Sequence, residues 1–294
     1  MGEARAVLAA AILLGAASAG ALDAAAPCER YRSPPVRVGR IPAELRELSG
    51  LAASRRHAGV YWAENDSGNP FELFAVLGDG TLVARFPLDG GSNVDCEDLA
   101  IGPCQQARGE TCLYLADIGD NLERRKHVVV YEIPEPATLD ERPLVARALP
   151  FAYADRPHNT EALLVDPDDA RLYVVTKEID SLGAVYRLDG LGAGRVGQAV
   201  RLHGLTAPAG FGGLTTGGAV HPSGTRALLR TYTQVWEYRG RPEQSLGAIL
   251  ATTPVAVPDA RQPQGEAVTY TRDGRGYLLG TEQSGPLYRV DCAE

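Results

Sequence analysis

A six-residue motif that recurs five times constrains the fold of this chain more than any other sequence feature. Its copies begin at Glu47, Asp95, Asn159, Leu214 and Gln264, at intervals of about 48, 64, 55 and 50 residues. This spacing is typical of the blades of a β-propeller rather than of a helical repeat. Because strand side chains alternate between two faces, the first and third residues of each motif should point the same way. The motifs therefore predict a ring of polar groups at one mouth of a central channel.

Apolar strands and tight turns follow each motif, which predicts an all-β protein with a single β-propeller of five four-stranded blades. Six blades are the alternative, because the interval from Glu97 to Glu161 is long. We interpret its excess, around Pro134 to Pro143, as a loop. The last repeat ends after its third strand at Val290. A strand from Val36 to Ile41 is expected to complete that blade, which would close the ring and remove exposed sheet edges.

The fourth strand of each blade has the least regular pattern. The 33 Gly and 20 Pro residues of the chain suit a fold with many tight turns, and they separate the apolar runs clearly. We predict fourth strands near Leu82 to Phe86, Ala146 to Phe151, Ala199 to Leu202 and Ala251 to Val255.

The N-terminal residues are typical of a secretory signal peptide. Arg5 precedes an apolar stretch from Ala6 to Gly15, and Ala17-Ser18-Ala19 matches an A-x-A cleavage site. We therefore assign residues 1–19 to a signal peptide, 20–35 to an N-terminal extension and 36–294 to the propeller. An uncleaved anchor is the alternative. Since no other segment approaches membrane length, we expect a secreted or periplasmic protein without a membrane span.

Export from the cytosol permits disulfides, and the chain has five cysteines. Cys104 and Cys112 flank a polar loop between two predicted strands, so we expect them to pair. Cys28 and Cys292 lie at the two ends of the mature chain, which a closed propeller brings together. Cys96 is then left as a buried free thiol. A bridge between Cys96 and Cys104 is the alternative.

The net charge of −8 argues against a nucleic-acid partner. Nearly all positive charge is Arg, and Lys occurs only at positions 126 and 177. We expect a monomer whose partner is a small molecule, a glycan or another protein.

Acidic side chains dominate the predicted ring, and four of the five motifs carry one. Crowded carboxylates repel each other unless a cation compensates, which makes Ca²⁺ the expected cofactor. The expected metal ligands are Glu47, Asp95, Glu97, Glu161 and Glu266. Residues at the same mouth that we expect to bind a ligand are Asn65, Asp66, Asp117, Asn159, Lys177 and Arg230. The alternative is that Lys177 and Arg230 neutralise the acids in a structural network.

One histidine is a candidate for catalysis. His158 immediately precedes Asn159 in a ring motif, so it could exchange protons there; a solvated loop histidine is the alternative. The chain has no Gly-x-Ser-x-Gly nucleophile motif and no phosphate-binding Gly-x-x-x-x-Gly-Lys loop.

Four segments give the chain a resemblance to a group of secreted bacterial β-propeller proteins without an assigned activity: Asp95-x-Glu97-Asp-Leu-Ala, Asp117-Ile-Gly-Asp120-Asn121, Asn159-x-Glu161-Ala-Leu-Leu-Val-Asp-Pro and Gln264-Gly-Glu266-Ala. More remotely, the chain is similar to the esterase-like phytase domain and to calcium-bearing propellers of the gluconolactonase and paraoxonase type. Those resemblances imply an ion near the channel mouth and, in some relatives, phosphoester or lactone hydrolysis. The chain departs from them in lacking an Asp-Asp-Pro-Ala run and in carrying Leu214 and Thr216 in the fourth motif.

These observations predict a secreted β-propeller that binds a ligand, with Ca²⁺, at an acid-lined channel mouth. One alternative function is a metal-assisted hydrolase of phosphoesters or lactones, in which His158 or a ring acid moves protons. A purely structural protein-interaction module, with every ring residue satisfied internally, is the other alternative.

Overall fold

The computed structural model describes residues 26–206 and 213–293, so the predicted signal peptide lies outside the described residues. Within them the regular secondary structure is almost entirely β-strand. The strands are β1 (Val36–Arg40), β2 (Leu48–Ala53), β3 (Val60–Asn65), β4 (Glu72–Leu77), β5 (Leu82–Asp89), β6 (Cys96–Pro103), β7 (Thr111–Asp117), β8 (Val128–Pro134), β9 (Leu144–Val145), β10 (Arg147–Tyr153), β11 (Thr160–Val165), β12 (Leu172–Thr176), β13 (Gly183–Asp189), β14 (Gly197–Leu205), β15 (Thr215–Val220), β16 (Arg226–Thr231), β17 (Val235–Arg239), β18 (Val255–Val257), β19 (Gly265–Tyr270), β20 (Gly276–Thr281) and β21 (Pro286–Asp291). The helices are a 3-10 turn at Ala43–Leu45 and α1 (Leu246–Leu250).

The described strands form five four-stranded antiparallel units, and the predicted propeller fold is confirmed. Unit 1 contains β2 to β5, unit 2 contains β6, β7, β8 and β10, and unit 3 contains β11 to β14. Unit 4 contains β15 to β18, and unit 5 contains β19 to β21 with β1. The innermost strands β2, β6, β11, β15 and β19 contact one another in succession, and β19 contacts β2. Each unit thus contributes its first strand to one closed ring around a channel.

Two parallel strand pairs connect neighbouring units at their outer edges. β10 of unit 2 pairs with β14 of unit 3, which joins these units into one eight-stranded sheet. The short strand β9 pairs with β5 of unit 1. Residues 135–143 contain no strand or helix, so the excess sequence in this interval is a loop, as predicted.

Hydrophobic side chains fill the spaces between neighbouring units. Trp62 and Phe86 of unit 1 pack with Leu115 of unit 2, while Leu163 and Tyr186 of unit 3 belong to a cluster shared with unit 2. Further clusters join units 3 and 4, units 4 and 5, and units 5 and 1. Because each cluster needs side chains from two units, no unit buries its own apolar faces alone.

The predicted fourth strand of unit 4, Ala251 to Val255, is wrong. The structure has a turn there, directly after helix α1, and β18 begins only at Val255. Leu246, Ile249 and Leu250 face the cluster between units 3 and 4, and the Ser245 hydroxyl oxygen caps the helix by accepting a bond from the Ala248 N–H at 3.3 Å. Residues 251–254 connect the helix to β18, so the fourth strand lies later in the sequence than predicted.

The N-terminal segment closes the ring in the predicted way. β1 pairs antiparallel with β21 in unit 5. Nearby, the Tyr31 hydroxyl donates to Glu237 Oε1 at 2.6 Å in unit 4, and a Cys28–Cys292 disulfide joins the two chain ends. The predicted Cys104–Cys112 disulfide and the free buried Cys96 are also confirmed. Among the described residues, no helix has the length and apolar character required to cross a bilayer.

We predict that replacing both Cys28 and Cys292 with Ser lowers the free energy of unfolding by roughly 2–5 kcal/mol, because this bridge restrains a very long loop of the unfolded chain. The Cys104/Cys112 double Ser variant is the matched control, since its loop spans only 8 positions and should contribute less. Thermal unfolding of both variants tests the ranking, and an equal or larger loss in the control would contradict it.

Candidate functional site

A β-bulge recurs in the innermost strand of every unit at the position of the sequence motif. In β6 the register shifts between Cys96 and Asp98, and in β11 it shifts between Thr160 and Ala162. The same irregularity occurs in β2, β15 and β19. A bulge inserts an extra residue, which locally breaks the alternation of side chains and re-aims them. The bulge positions include the third residue of each motif, namely Ser49, Glu97, Glu161, Thr216 and Glu266.

Hydroxyl residues at two of these bulges connect neighbouring units. The Ser49 hydroxyl of unit 1 donates to the Glu97 carbonyl oxygen of unit 2 at 2.5 Å. The Thr216 hydroxyl of unit 4 donates to the Gly265 carbonyl oxygen of unit 5 at 2.8 Å. Since both hydroxyls are buried and used in this way, units 1 and 4 contribute no acid at this position.

Three carboxylates lie together on one side of the channel mouth. Oxygens of Asp66, Asp95 and Glu97 are all within 4.8 Å of one another. Asp66 follows β3 of unit 1, and the other two stand at the start of β6 in unit 2. Asn93 fixes this junction, because its amide donates to the carbonyl oxygens of Asn65 at 3.1 Å and Asp66 at 2.9 Å. We call Asp66, Asp95 and Glu97 the acid triad.

A turn after β7 covers the acid triad closely. A Cβ atom at Gly119 would lie 2.2 Å from Glu97 Oε1 and 2.5 Å from Asp95 Oδ2, so a larger residue there would displace these carboxylates. Arg125 holds this turn, because its guanidinium pairs with Asp117 at 2.7 Å and donates to the Gly119 carbonyl oxygen at 2.7 Å. The carboxylate oxygens are thus enclosed by protein backbone on one side.

Burial and mutual repulsion make the charged triad unfavourable. Burial raises the pKa of Glu97 well above its usual range, and the charges of Glu161, Asp66 and Asp95 raise it further. The pKa values of Asp66 and Asp95 are also raised, in each case mainly by burial. A cation among these oxygens would remove both penalties. Oxygen donors alone suit Ca²⁺, so the residues present fit that ion.

The opposite side of the mouth already contains a cation. Lys177 Nζ lies 3.0 Å from Glu161 Oε1 and donates to the Tyr232 hydroxyl at 3.0 Å. Burial lowers the pKa of Lys177, but Glu161 and Tyr232 outweigh that effect and the pKa is raised overall. Asn159 also donates to Glu161 Oε1, at 3.1 Å. The predicted neutralisation by Lys177 therefore holds for Glu161.

Glu266 is a buried acid of a different kind. Its Oε2 atom is buried and has no hydrogen-bond partner among the described residues. Burial raises the pKa of Glu266 to about 8; Glu161 and Glu282 raise it as well, while Lys177 and Arg230 lower it. At neutral pH the carboxyl group is therefore mainly protonated and can donate a proton.

Several predicted ligand residues serve mainly to position the backbone. The buried Asn65 accepts from the Glu47 N–H at 3.1 Å and donates to the Glu44 carbonyl oxygen at 2.8 Å. Arg230 is completely buried, and its guanidinium donates to Gln262 at 2.7 Å and to the Ala267 carbonyl oxygen at 2.8 Å. These bonds leave Asn65 and Arg230 turned towards the protein.

Two other predicted residues lie outside the acid triad. Glu47 is exposed at the rim, where Asn69 donates to its Oε2 atom at 2.5 Å. His158 is buried, and its Nε2 atom lies 3.0 Å from Asp155 Oδ2 and 2.8 Å from the Tyr186 hydroxyl. Its hydrogen bonds therefore go to unit 3 and not to the ring acids.

Sequence reasoning missed the acid at the centre of the channel. Asp98 is fully buried, and Oδ2 accepts from the N–H groups of Leu163 at 2.8 Å and Gly218 at 3.1 Å. Burial raises its pKa to about 8, although these backbone bonds lower it. Asp98 thus connects units 2, 3 and 4 across the channel. Asp98 belongs to the second sequence motif, and that was the available signal. Strict alternation of side chains predicts that Asp98 points away from the channel. The β-bulge in β6 turns it towards the channel instead.

Comparison with known proteins assigns neither a family nor an activity to this chain. No protein-family model matches the chain, and no curated protein matches it. A solved structure of a gluconolactonase from Xanthomonas campestris matches with a TM-score of 0.47 and 14% sequence identity, covering 92% of this chain and 99% of that one. A likeness at this identity and TM-score says nothing about activity or site residues.

We predict that stability in chelator falls as the pH rises from about 5 to 9, partly through Glu266. Its folded-state pKa of about 8 lies above its ordinary value of 4.5, so its stabilising contribution is fully present below pH 4.5 and is lost progressively as the pH rises to about 8. Glu266→Gln should remove roughly 3–5 kcal/mol of this pH dependence.

Thermal unfolding of wild type and Glu266→Gln across this pH range measures the effect. The exposed Glu47→Gln variant is the matched control and should retain the wild-type slope. If the melting temperatures of wild type and Glu266→Gln change in parallel with pH, the pKa of the Glu266 carboxyl group is not raised in the folded protein.

Proposed function

We propose that this protein is a β-propeller that binds Ca²⁺ at the acid triad and uses the ion to bind a ligand at the channel mouth. One observation carries the proposal: oxygens of Asp66, Asp95 and Glu97 lie within 4.8 Å of one another without a cationic side chain among them. Like charges at this separation destabilise the fold unless they are protonated or bound by a cation.

The chemistry of the triad and its surroundings supports a hard divalent ion. All three donors are carboxylate oxygens, and no Lys or Arg of the described part of the chain forms a salt bridge with them. Asn93 and the Gly119 turn hold the donors in place before an ion arrives, which reduces the entropy lost on binding. When bound, Ca²⁺ would supply positive charge that can attract an anionic or hydroxyl oxygen of a ligand.

A groove on the Lys177 side of the mouth, across from the acid triad, offers room for the ligand. It has a volume of about 860 Å³ and is lined by residues 232–234 of unit 4 and 256–263, which lead into unit 5. Tyr232 connects the groove to the ring, because its hydroxyl accepts from Lys177. Aromatic, amide and charged groups in one groove suit a polar small molecule, a glycan or a peptide.

We further propose that the protein is secreted or periplasmic. Two disulfides support this assignment, since such bonds persist in oxidising compartments.

We predict that Ca²⁺ raises the melting temperature of chelated protein, because an ion that binds only the folded state stabilises it, by about 2.7 kcal/mol at 100 times the Kd. Glu97→Gln should abolish the Ca²⁺-dependent rise, since it removes a buried charged ligand. Thermal unfolding with and without millimolar Ca²⁺, together with elemental analysis for bound metal, measures both effects.

Glu47→Gln is the matched control, because Glu47 is an acid at the same mouth but outside the triad. It should keep the full Ca²⁺ response. If wild type shows no response to Ca²⁺ and retains no metal, contacts within the protein satisfy the ring residues. A structural protein-interaction module is then the better interpretation.

Metal-assisted hydrolysis of a phosphoester or lactone is a second candidate function, favoured by Glu266. Its buried, mainly protonated carboxyl group has one oxygen without a partner and stands in the same ring of bulge residues. In this function Glu266, rather than the predicted His158, would donate its proton to the leaving oxygen. The ion would supply Lewis-acid polarisation of the scissile bond.

We predict for this function that Glu266→Gln lowers kcat by roughly 10²-fold or more, because the amide cannot transfer the proton. A panel of phosphomonoester, nucleotide and lactone substrates, assayed with Ca²⁺, provides the measurement. Glu47→Gln should leave kcat unchanged. Turnover that is absent in wild type, or equal in wild type and Glu97→Gln, would rule out the hydrolase for those substrate classes while leaving Ca²⁺ binding intact.

A further inference from the structure

The loop that covers the acid triad also carries the longest run of basic residues in the chain. Residues 118–127 join β7 to β8, and Gly119 near the start of this β7–β8 loop packs against the triad. Arg124, Arg125 and Lys126 follow one another in the second half of the loop, next to His127. The loop therefore places a group of positive charges beside the acids of the channel mouth.

Two of these cations have no acidic partner. Arg125 is half-buried and pairs with Asp117 at 2.7 Å. Within residues 26–206 and 213–293, no Asp or Glu forms a salt bridge with Arg124 or Lys126, and both side chains are exposed. The charges of Arg124 and Lys126 are therefore available to an anionic group from outside the chain.

Hydrogen bonds fix the β7–β8 loop to its neighbours. The Arg125 N–H donates to Asp120 Oδ2 at 2.7 Å, and the Asp120 N–H donates to Asn159 Oδ1 of unit 3 at 2.8 Å. Glu123 pairs with Arg156, so the acid within this loop is compensated. A loop that is already ordered loses less conformational entropy when it binds a partner.

Apolar side chains accompany the free positive charges. Leu122, in the turn of the β7–β8 loop, is 70% exposed. Val94 is 56% exposed, and its N–H donates to Asp117 Oδ2 at the base of the same loop, at 3.3 Å. Leaving a leucine in water forgoes the free energy that its burial would release. The loop thus combines an exposed aliphatic turn with unpaired basic groups.

This combination suits an anionic lipid surface. A projecting aliphatic side chain needs a matching pocket on a folded protein, whereas a bilayer interface accommodates it without one. Basic side chains beside it attract anionic headgroups. Ile179 in the loop after β12 is also exposed, but Glu178 and Asp180 flank it and would repel such headgroups. The contact is therefore centred on unit 2.

We propose that the channel-mouth face docks on an anionic membrane surface through the β7–β8 loop. Leu122 and Val94 would enter the interface, while Arg124 and Lys126 would bind the phosphates of the headgroups. The carboxylates of the same mouth oppose this contact, and Ca²⁺ in the acid triad would offset them. Docking is therefore expected to be stronger with Ca²⁺, and this dependence on Ca²⁺ rests on the proposed function.

Co-sedimentation with vesicles tests the proposal. Vesicles of phosphatidylglycerol and phosphatidylcholine in equal parts are compared with vesicles of phosphatidylcholine alone, in millimolar Ca²⁺ and in chelator. We expect binding to the anionic vesicles only, stronger with Ca²⁺ and weakened by added salt. The double variant Arg124→Gln/Lys126→Gln should weaken binding by roughly 30-fold, and Leu122→Ser by roughly tenfold or more.

Two control variants match these changes at other places on the surface. Val145→Ser is the control for Leu122→Ser, because Val145 is 72% exposed but lies on β9 at an outer edge of the propeller. Arg37→Gln/Arg108→Gln removes two charges from exposed arginines, one on β1 and one in the loop after β6. Both controls should bind the anionic vesicles as wild type does.

Failure of wild type to bind the anionic vesicles would overturn the proposal, as would equal losses in Leu122→Ser and Val145→Ser. A loss in the Arg124/Lys126 variant alone would indicate an acidic macromolecule as the partner and would also overturn it. A Ca²⁺-induced rise in melting temperature without vesicle binding overturns docking but leaves the proposed function standing. Equal vesicle binding in Ca²⁺ and in chelator supports docking and contradicts its coupling to the acid triad.

Discussion

The repeated β-bulge of the innermost strands is the constraint on which the functional surface depends. In a regular strand, neighbouring residues point to opposite faces, so a motif would present every second side chain to the channel. The shifted register in all five strands brings Glu97 and Asp98 towards the channel together. Hydroxyls at the bulges of units 1 and 4 then tie neighbouring units, while acids occupy the bulges of the other three. A single backbone irregularity, repeated, thus both connects neighbouring units and places the acids.

The sequence predicts the fold well because the strands and turns of a propeller each have a local sequence pattern. Turn residues, apolar alternation and a blade-length period suffice to place nearly all strands, and the pairing of chain ends follows from closure. Helix α1 was missed because its apolar face is set by a neighbouring unit and not by its own periodicity. Local patterns cannot reveal a partner that lies far away in the sequence.

The candidate site was predicted less completely, since proximity to the mouth does not determine which partner a side chain takes. Asp95 and Glu97 belong to the triad as expected, but Asp66 joins them instead of Glu47. Arg230 was predicted to bind a ligand because of its charge. In the structure unit 5 surrounds it, and its guanidinium donates hydrogen bonds to backbone carbonyl oxygens. Asn93 gave no signal and Gly119 appeared only within the segment Asp117-Ile-Gly-Asp120-Asn121, although their contacts shape the site.

The shared direction of the innermost strands gives the channel an electrostatic polarity. All five begin at the mouth that holds the acids, so the repeated motif places its carboxylates at one end of the channel axis. Asp98 lies between the two mouths, where three backbone N–H groups stabilise its carboxylate without any cation. Because this packed centre holds no cation that could reach the mouth, the repulsion among Asp66, Asp95 and Glu97 is relieved only by protonation or by a cation at the mouth itself.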